Sequence, residues 1–251
     1  MSCVAIIPAR FGSTRLPGKP LLDRTGKPLV VHVAERAASA RSVTQVIVAT
    51  DDSRIRDAVV AHGQQAVMTS PDHPNGTSRI AEVAQSLSPD VQIIVNVQGD
   101  EPLIDPAVID AAVERLKLGN EPMSTVASPF AVGEDPADPN IVKVVLDQRG
   151  RALYFSRALI PHVRDLQLSP SDARPHLKHI GLYAYRREFL STYVALPPTP
   201  AEELEKLEQL RALEHGHAIA VVTAVVEHHG IDTPEQYEAF VAYCKSAAAQ
   251  G

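Results

Sequence analysis

The chain contains a basic, glycine-rich segment whose residue types could bind a triphosphate. Residues 8–21 (PARFGSTRLPGKPL) place Arg10, Arg15 and Lys19 directly after an apolar run. Gly12 and Gly18 allow the backbone to approach a ligand closely. Several cations beside backbone N–H groups suit a polyphosphate. From the residues alone, a solvated basic loop is the alternative.

This segment matches neither of the two common glycine-rich phosphate-binding motifs. It has one residue too many between Gly12 and Gly18 for a P-loop, and Pro20 stands where Ser or Thr would ligate magnesium. It also lacks the G-x-G-x-x-G fingerprint of dinucleotide-binding proteins, which disfavours a dinucleotide-dependent oxidoreductase.

Two aspartates could hold a hard cation. Asp100 follows the apolar run 92–97 (QIIVNV), and Asp232 directly precedes Thr233, a predicted helix cap. Mg²⁺ is typically held by one or two protein carboxylates together with substrate phosphates. Each residue has a structural alternative: Asp100 as a turn residue, and Asp232 as an acid favoured by the helix dipole.

In the second half, polar residues lie beside apolar ones in the segments 154–157 (YFSR), 179–183 (HIGLY) and 205–211 (EKLEQLR). This pattern places Arg157 and His179 as candidates for the lining of a cleft. A structural histidine with satisfied hydrogen bonds is the alternative for His179.

The elements that must position these residues alternate between strand and helix through the first half. Apolar runs predict strands over 4–8, 45–50, 66–69 and 92–97. Periodic runs predict helices over 28–40 and 79–87, a helix capped by Ser53, and another that begins after Asp105. Repeated βα units with continuous apolar strands indicate an α/β fold with a mainly parallel sheet. Such sheets bind ligands beyond the carboxyl ends of their strands.

The second half is mixed. Residues 142–146 and 152–156 predict a β-hairpin around Gly150, and strands are expected over 180–185 and 219–226. Residues 166–175 predict a loop. Capping boxes predict one helix from Thr199 to about His215 and a last helix after Thr233. That last helix carries Tyr237, Phe240, Val241 and Cys244 on one face, and all 251 residues are interpreted as a single domain.

Composition excludes several classes of protein. The formal net charge of −6 argues against a protein that binds nucleic acid broadly, because such a protein needs a basic face. Cys3 and Cys244 match no metal-binding spacing and are interpreted as reduced thiols. No apolar run reaches the roughly 18 residues of a membrane span, so we expect a cytoplasmic location and no membrane partner.

The order of nine segments closely resembles the 3-deoxy-manno-octulosonate cytidylyltransferases, also called CMP-Kdo synthetases. The segments are IIPARFGSTRLPGKPL, IVATDD, NGTSRIAE, IVNVQGDEP, NIVKVVLD, ALYFSRALIP, KHIGLYAYR, LEKLEQLRALEHG and GIDTPEQYE. The resemblance covers nearly the whole chain, and the first segment together with VQGDEP is highly specific. It implies a Rossmann-like sheet of the nucleotide-diphospho-sugar transferase type, with helices on both faces and a β-hairpin that helps form a homodimer.

The resemblance also implies roles for individual residues. About 1–125 would bind mostly CTP, and about 126–232 would add the sugar-acid site and the dimer hairpin. The CTP phosphates would be held by Arg10, Ser13, Arg15 and Lys19. The cytidine would be surrounded by Thr50, Asp51, Thr77, Ser78, Arg79 and Gln98. Mg²⁺ would be held by Asp100 and Asp232, which with Arg10 and Lys19 form the implied catalytic set. The sugar-acid site would be lined by Arg157, His179, Tyr183, Glu208 and Gln209.

The implied reaction joins CMP from CTP to 3-deoxy-D-manno-octulosonate (Kdo), releases pyrophosphate and supplies lipopolysaccharide biosynthesis. Two alternatives remain open. One is a related transferase with another acceptor, such as a sialic acid or a phosphorylated sugar alcohol. The other is a non-catalytic nucleotide-binding protein, which loss of Lys19, Asp100 or Asp232 would have favoured; all three are present.

Overall fold

The structure is a computed structural model that describes residues 2–12, 16–164, 176–226 and 230–248. Contacts divide the chain into two compact units. Unit 1 comprises residues 1–110 and 228–251, and unit 2 comprises residues 111–227. That the chain forms one domain, with a functional division near residue 125, stays a prediction.

The strands in chain order are β1 Ser2–Ala9, β2 Gln45–Thr50, β3 Gln65–Met68, β4 Val91–Asn96, β5 Met123–Pro129, β6 Lys143–Leu146, β7 Ala152–Ser156, β8 Leu177–Arg186 and β9 Ile219–Thr223. The helices are α1 Leu29–Ala38, α2 Ser53–Ala61, α3 Gly76–Ser86, α4 Pro106–Leu118, α5 Arg187–Ala195, α6 Pro200–Glu205, α7 Leu210–Glu214 and α8 Pro234–Ala248, with a short 3-10 helix at Lys19–Leu21.

In unit 1 the strands form a parallel sheet in the order β3-β2-β1-β4. The central strand β1 is almost continuously buried, whereas β3, at the edge of this order, is short and mostly exposed. A continuous apolar run fits a central strand because both of its faces are covered. The four strands predicted in this half are confirmed to within two residues at each end.

An apolar cluster anchors the two ends of unit 1 to each other. Tyr237, Phe240 and Val241 of α8 pack with Leu16, Leu29 and Ile231, and Cys244 packs against them. The predicted apolar face of the last helix is therefore confirmed. The Thr233 cap is confirmed too, since its hydroxyl accepts the N–H of Gln236 at 3.3 Å.

The predicted cap of α2 is wrong by one residue. Asp52, not Ser53, is the N-cap: its carboxylate accepts the backbone N–H of Arg54 at 2.9 Å, and Ser53 begins the helix. Asp and Ser are similarly good N-caps, so the sequence IVATDDSR offered adjacent candidates. Asp52 has the extended backbone conformation that is typical of an N-cap residue, whereas Ser53 is already part of the helix.

Unit 2 contains a mixed sheet. Strand β5 pairs antiparallel with β8 and parallel with β9. The predicted hairpin is confirmed, since β6 and β7 pair antiparallel and Gly150 in the turn has a φ of +69°. β8 is longer than predicted and β9 is shorter. The predicted loop at 166–175 lies outside the described residues.

The prediction of one helix from 199 to about 215 is wrong, because Lys206 adopts a left-handed conformation (φ 53°) and ends α6. The break is stabilised by tertiary contacts: Leu207 is buried, and the hydroxyl of Tyr193 donates to the carbonyl of Glu208 at 2.7 Å. Arg211 of α7 then binds the carboxylate of Glu202 in α6 through two nitrogens, at 2.8 and 2.5 Å.

Within the described part of the chain, no helix combines the length and the apolar character needed to cross a lipid bilayer.

We expect Gly99→Ala to lower the free energy of unfolding by about 1–3 kcal/mol, the usual range for an overpacked site. A Cβ at Gly99 would lie 2.9 Å from the carbonyl oxygen of Pro8 at the end of β1, so backbone must move. Thermal and urea unfolding measure the effect. Gly12→Ala is the matched control, since a Cβ there meets nothing within 4 Å. Equal stability of the two variants would contradict the close approach.

Candidate active site

A cavity of about 370 Å³ lies in unit 1 beyond the carboxyl ends of β1 and β4. Its lining is formed by Pro8, Ala9, Arg10, Gly12, Lys19, Pro20, His73, Asn75, Gly76, Arg79, Gln98, Gly99, Asp100 and Asp232. This is the edge at which parallel sheets bind ligands. The volume falls within the usual range of small-molecule sites.

One cation and two carboxylates meet in this cavity. Lys19 Nζ donates to Asp100 Oδ2 at 2.8 Å and to Asp232 Oδ1 at 3.1 Å. Lys19 begins the 3-10 helix after Gly18, whose φ of +68° suits a glycine. The N–H of Ile231 donates to the carbonyl of Asp100 at 2.8 Å, which brings the segment carrying Asp232 beside Asp100.

The two aspartates fit the donor set of a magnesium ion. Both carboxylates already contact one shared cation, so both can face a common point. Across the residues that the structure describes, no group of three or more His, Cys, Asp and Glu side chains could hold a metal. Two carboxylates leave coordination positions for phosphate oxygens and water, which is how Mg²⁺ is usually bound.

Glu101 lies next to this cluster and is difficult to ionise. Desolvation by burial, and then the negative charge of Asp100, raise its pKa to about 8. Its carboxyl group is therefore mostly protonated at neutral pH. A mostly neutral acid therefore lies directly after Asp100 in the chain, although Glu101 itself does not line the cavity.

Helix α3 forms another wall of the cavity. Its N-cap Asn75 accepts the N–H of Ser78 at 2.9 Å, and Gly76 allows the helix start to approach Pro8, whose Cγ would lie 3.1 Å from an added Cβ. Helix N-termini present unpaired N–H groups and favour anionic ligands. His73 also lines the cavity and is hydrogen-bonded to Glu82.

Arg79 lies at the cavity wall and forms an ion pair with the partly exposed Asp51. Its Nη2 donates to Asp51 Oδ2 at 2.8 Å, and its Nη1 donates to the hydroxyl of Thr69 and to the carbonyl of Ser70. Arg79 is 3% exposed. It therefore ties the ends of β2 and β3 to α3 while contributing to the cavity wall.

The cavity brings together Arg10, Lys19, Arg79, Gln98, Asp100 and Asp232 from the predicted nucleotide and metal sites. Thr50 and Thr77 are buried, Asp51 pairs with Arg79, and Ser78 bonds Asn75; none of these four lines the cavity. Ser13 and Arg15 lie outside the described residues.

Sequence reasoning missed His73, Asn75 and Gly99 among the lining residues. Asn75 carried a usable signal, because Asn-Gly stands directly before an apolar period. Gly99 follows a buried strand, where close backbone approach is a recognised role of glycine. His73 carried no signal in the sequence.

A second cluster of predicted site residues lies in unit 2 around His179. Its imidazole is 5.0 Å from the ring of Phe155 and 5.4 Å from that of Tyr183. Burial lowers the pKa of His179 to about 3, so the ring is neutral. Burial, aided by the charge of Glu208, raises the pKa of the Tyr183 hydroxyl.

Hydrogen bonding assigns the tautomer of His179. The hydroxyl of Thr125 donates to the carbonyl of Leu182 at 2.8 Å, and it lies 2.9 Å from His179 Nε2. A hydroxyl has one proton, so Nε2–H donates to Thr125 and Nδ1 is left as an acceptor. His179 can therefore accept a hydrogen bond from a hydroxyl group through Nδ1.

Arg157 is held through its backbone and its side chain. Its N–H donates to Glu205 Oε2 at 2.9 Å, Nε donates to the carbonyl of Glu205 at 2.8 Å, and Nη1 donates to the carbonyl of Pro139 at 3.1 Å. Lys143 donates to the carbonyl of Arg157 at 2.5 Å. These bonds fix the position of the guanidinium. Arg157 Nη1 is already occupied by the carbonyl of Pro139. One type of bidentate contact between Arg157 and the carboxylate of a ligand would use this same nitrogen.

Glu208 and Gln209 lie in the break between α6 and α7. Gln209 is buried and precedes α7, and the charge of Glu208 acts on Tyr183. The structure thus groups Phe155, His179, Tyr183 and Glu208, while the contacts of Arg157 are with Glu205, Pro139 and Lys143.

A sheet of this kind, with a cavity at its carboxyl edge that contains a basic residue and two carboxylates, is typical of nucleotidyltransferases. The family model for cytidylyltransferases matches residues 4–219. The chain belongs to the cytidylyltransferase family.

Several relatives are similar over nearly their full length. A protein of Syntrophobacter fumaroxidans named 3-deoxy-manno-octulosonate cytidylyltransferase is 53% identical over 243 residues, which is 96% of each chain. One of the same name from Geobacter sulfurreducens is 52% identical over 247 residues, covering 95% of this chain and 97% of its own.

Solved structures are also similar. One is a CMP:2-keto-3-deoxy-manno-octonic acid synthetase complexed with CTP, with a TM-score of 0.91 and 41% identity, covering 98% of this chain and all of its own. A 4-diphosphocytidyl-2C-methyl-D-erythritol synthase of Anaerococcus prevotii has a TM-score of 0.62 and 14% identity over 97% of this chain and 96% of its own, which shows a shared fold. The predicted α/β nucleotidyltransferase fold is confirmed.

We expect Glu101 to lower the free energy of unfolding progressively as the pH rises from about 4.5 to about 8. Below pH 4.5 the carboxyl is protonated in both states; between these values the unfolded chain releases the proton while the folded chain retains it. Glu101→Gln should remove this contribution. The Tm of Glu101→Gln minus that of the wild type, both measured in EDTA, should therefore increase as the pH rises from 5 to 8.

Glu203→Gln is the control for this pH effect, since Glu203 is exposed on α6. A difference in Tm between wild type and Glu101→Gln that stays constant across this range would contradict the raised pKa.

Proposed function

We propose that this protein is a 3-deoxy-manno-octulosonate cytidylyltransferase, which joins CMP from CTP to Kdo and releases pyrophosphate. The contact of Lys19 with both Asp100 and Asp232 carries the proposal, because it places a cation and two carboxylates in one cavity at the carboxyl edge of the sheet. Relatives of the same name that are 52–53% identical over nearly the whole chain support the choice of acceptor.

The proposed reaction is an in-line attack of the anomeric hydroxyl of Kdo on the α-phosphorus of CTP. It requires positioning and charge neutralisation rather than a covalent intermediate. Arg10 and Lys19, which both line the cavity, would stabilise the charge that develops on the leaving pyrophosphate. Asp100 and Asp232 would hold Mg²⁺, which supplies Lewis-acid stabilisation of the phosphate and lowers the pKa of a bound hydroxyl.

The acceptor would be recognised in unit 2. Neutral His179 presents an acceptor nitrogen to a sugar hydroxyl, and Arg157 presents a fixed guanidinium to the carboxylate of the sugar acid. Tyr183, Glu208 and Gln209 complete the proposed sugar-acid site. The residues of unit 1 would bind CTP.

A homodimer formed through the β6–β7 hairpin is part of the proposal. Leu153 and Tyr154 leave large side chains exposed on β7, at 60% and 39%. Exposed apolar residues on a hairpin support a protein contact there. A cytoplasmic location, a role in lipopolysaccharide biosynthesis and the absence of nucleic-acid and membrane partners belong to the same proposal.

The experiment that tests the function is pyrophosphate release from CTP and Mg²⁺ with Kdo, with N-acetylneuraminate, with a phosphorylated sugar alcohol, and with no acceptor, each repeated in EDTA. Release only with Kdo, abolished by EDTA, supports both acceptor and metal. Release with a different acceptor overturns the Kdo assignment. No release from folded protein that still binds CTP favours a non-catalytic nucleotide-binding protein.

We expect Asp100→Asn to keep the fold and to reduce kcat by several orders of magnitude. The amide loses the charge through which the carboxylate holds Mg²⁺, while its size is unchanged. Steady-state kinetics at several magnesium concentrations, with circular dichroism, measure both effects. Asp90→Asn, at an exposed position, is the control. Near-normal turnover of Asp100→Asn at saturating magnesium would remove Asp100 from the metal site.

We expect Arg157→Lys to raise the KM for Kdo by about tenfold or more, with little change in the KM for CTP. A lysine cannot reproduce the planar fork of donors that Arg157 directs at Glu205 and Pro139. Kinetics with each substrate varied in turn measure the split. Arg149→Lys, exposed in the hairpin turn, is the control. An unchanged kcat/KM for Kdo would exclude Arg157 from the acceptor site.

A further inference from the structure

We infer that Lys19 is a positioning residue for the metal ligands: it holds Asp100 and Asp232 together and closes them to a free divalent cation until a nucleotide draws its ammonium group away. Metal binding would then depend on the triphosphate. The inference rests on the proposed function for the identity of the nucleotide and of the metal ligands.

The geometry places the ammonium group between the two carboxylates. Lys19 Nζ lies 2.8 Å from Asp100 Oδ2 and 3.1 Å from Asp232 Oδ1. The side chain of Lys19 is 13% exposed, whereas those of Asp100 and Asp232 are 29% and 37% exposed. The cation is therefore the most buried member of the cluster, and the carboxylates surround it.

The backbone at each of the two aspartates is also held by a hydrogen bond. The carbonyl of Asp100 accepts the N–H of Ile231, and the N–H of Asp232 donates to Gln236 Oε1 at 2.7 Å. Ile231 belongs to the buried apolar cluster of α8. The backbone that carries both aspartates is thus held in place, so exchange of the cation requires movement of the Lys19 side chain.

Charge explains why a free metal ion should bind weakly. Two carboxylates with one ammonium group carry a net charge of −1, and a divalent cation that contacts the same oxygens would repel the ammonium. To bind, the metal must therefore displace the ammonium group of Lys19 from both carboxylates. The displaced ammonium group would stay in the cavity, where water would replace its two hydrogen bonds to Asp100 and Asp232.

A triphosphate removes this obstacle. Its oxygens give the ammonium group a new anionic partner, and they supply the further ligands that two aspartates do not provide to Mg²⁺. Nucleotide and metal then favour each other's binding, and this coupling is reciprocal in free energy. The enzyme would take up metal together with CTP.

The test is a titration of nucleotide-free protein with Mn²⁺, followed by electron paramagnetic resonance of the free ion. We expect weak binding to the wild type, and binding at least about tenfold tighter to Lys19→Met and Lys19→Gln, a gain of about 1.4 kcal/mol. Lys27→Met is the matched control, because Lys27 pairs with Glu35 outside the cavity. Circular dichroism reports the fold of each variant.

The direction of the change separates this role from a structural one. If Lys19 only stabilised the site, its loss would weaken Mn²⁺ binding or leave it unchanged, and either result in a folded variant overturns the inference. The titration contains no Kdo and measures no turnover. A failure of the proposed function would appear in the pyrophosphate assay, whereas a failure of this inference would appear in the Mn²⁺ titration.

A second measurement uses the unaltered protein. Acetic anhydride modifies exposed amines, and mass spectrometry quantifies each lysine. Saturating Mn²⁺ alone should increase the acetylation of Lys19 relative to EDTA, with Lys27 as the internal reference. Equal acetylation of Lys19 in both conditions would show that the metal does not displace it, and would overturn the inference.

Discussion

The arrangement of unit 1 depends on keeping two like charges together at the edge of a sheet. Asp100 and Asp232 come from positions more than a hundred residues apart, and their mutual repulsion must be offset. Lys19 offsets it electrostatically, the hydrogen bond from Ile231 to Asp100 fixes the backbone, and the apolar contacts of α8 hold the segment in place. The cavity exists because these three kinds of interaction act at one point.

Unit 2 accommodates buried charge differently. Lys143 donates to three backbone carbonyls, those of Asp138, Ile141 and Arg157, whereas Lys178 binds both oxygens of Glu134. Both ammonium groups are satisfied without a ligand, which is how proteins tolerate buried charge. His179 meets the same constraint by remaining neutral. Lys143 and Lys178 of unit 2 therefore hold loops in place, whereas Lys19 of unit 1 lies at the wall of a cavity.

Periodicity and capping predicted the parallel strands, the hairpin and the last helix, because each of these follows from local sequence and simple burial. That Lys19, Asp100 and Asp232 are candidate site residues could be inferred from their place after strands and before a helix, and the structure brings all three into one cavity. The break at Lys206 could not, since it depends on Tyr193 and on the burial of Leu207. Nor could the pairing of Arg79 with Asp51, which lies 28 residues away and requires the folded sheet.

The discontinuity of unit 1 has a consequence for the order in which the protein becomes functional. Residues 228–251 return to the unit that residues 1–110 begin, and they contribute Asp232 and the aromatic side chains of α8. During translation, the amino-terminal sheet leaves the ribosome long before these residues are synthesised. The apolar surface that receives Tyr237 and Phe240 is then uncovered, so a nascent chain would need protection from aggregation until its last helix emerges.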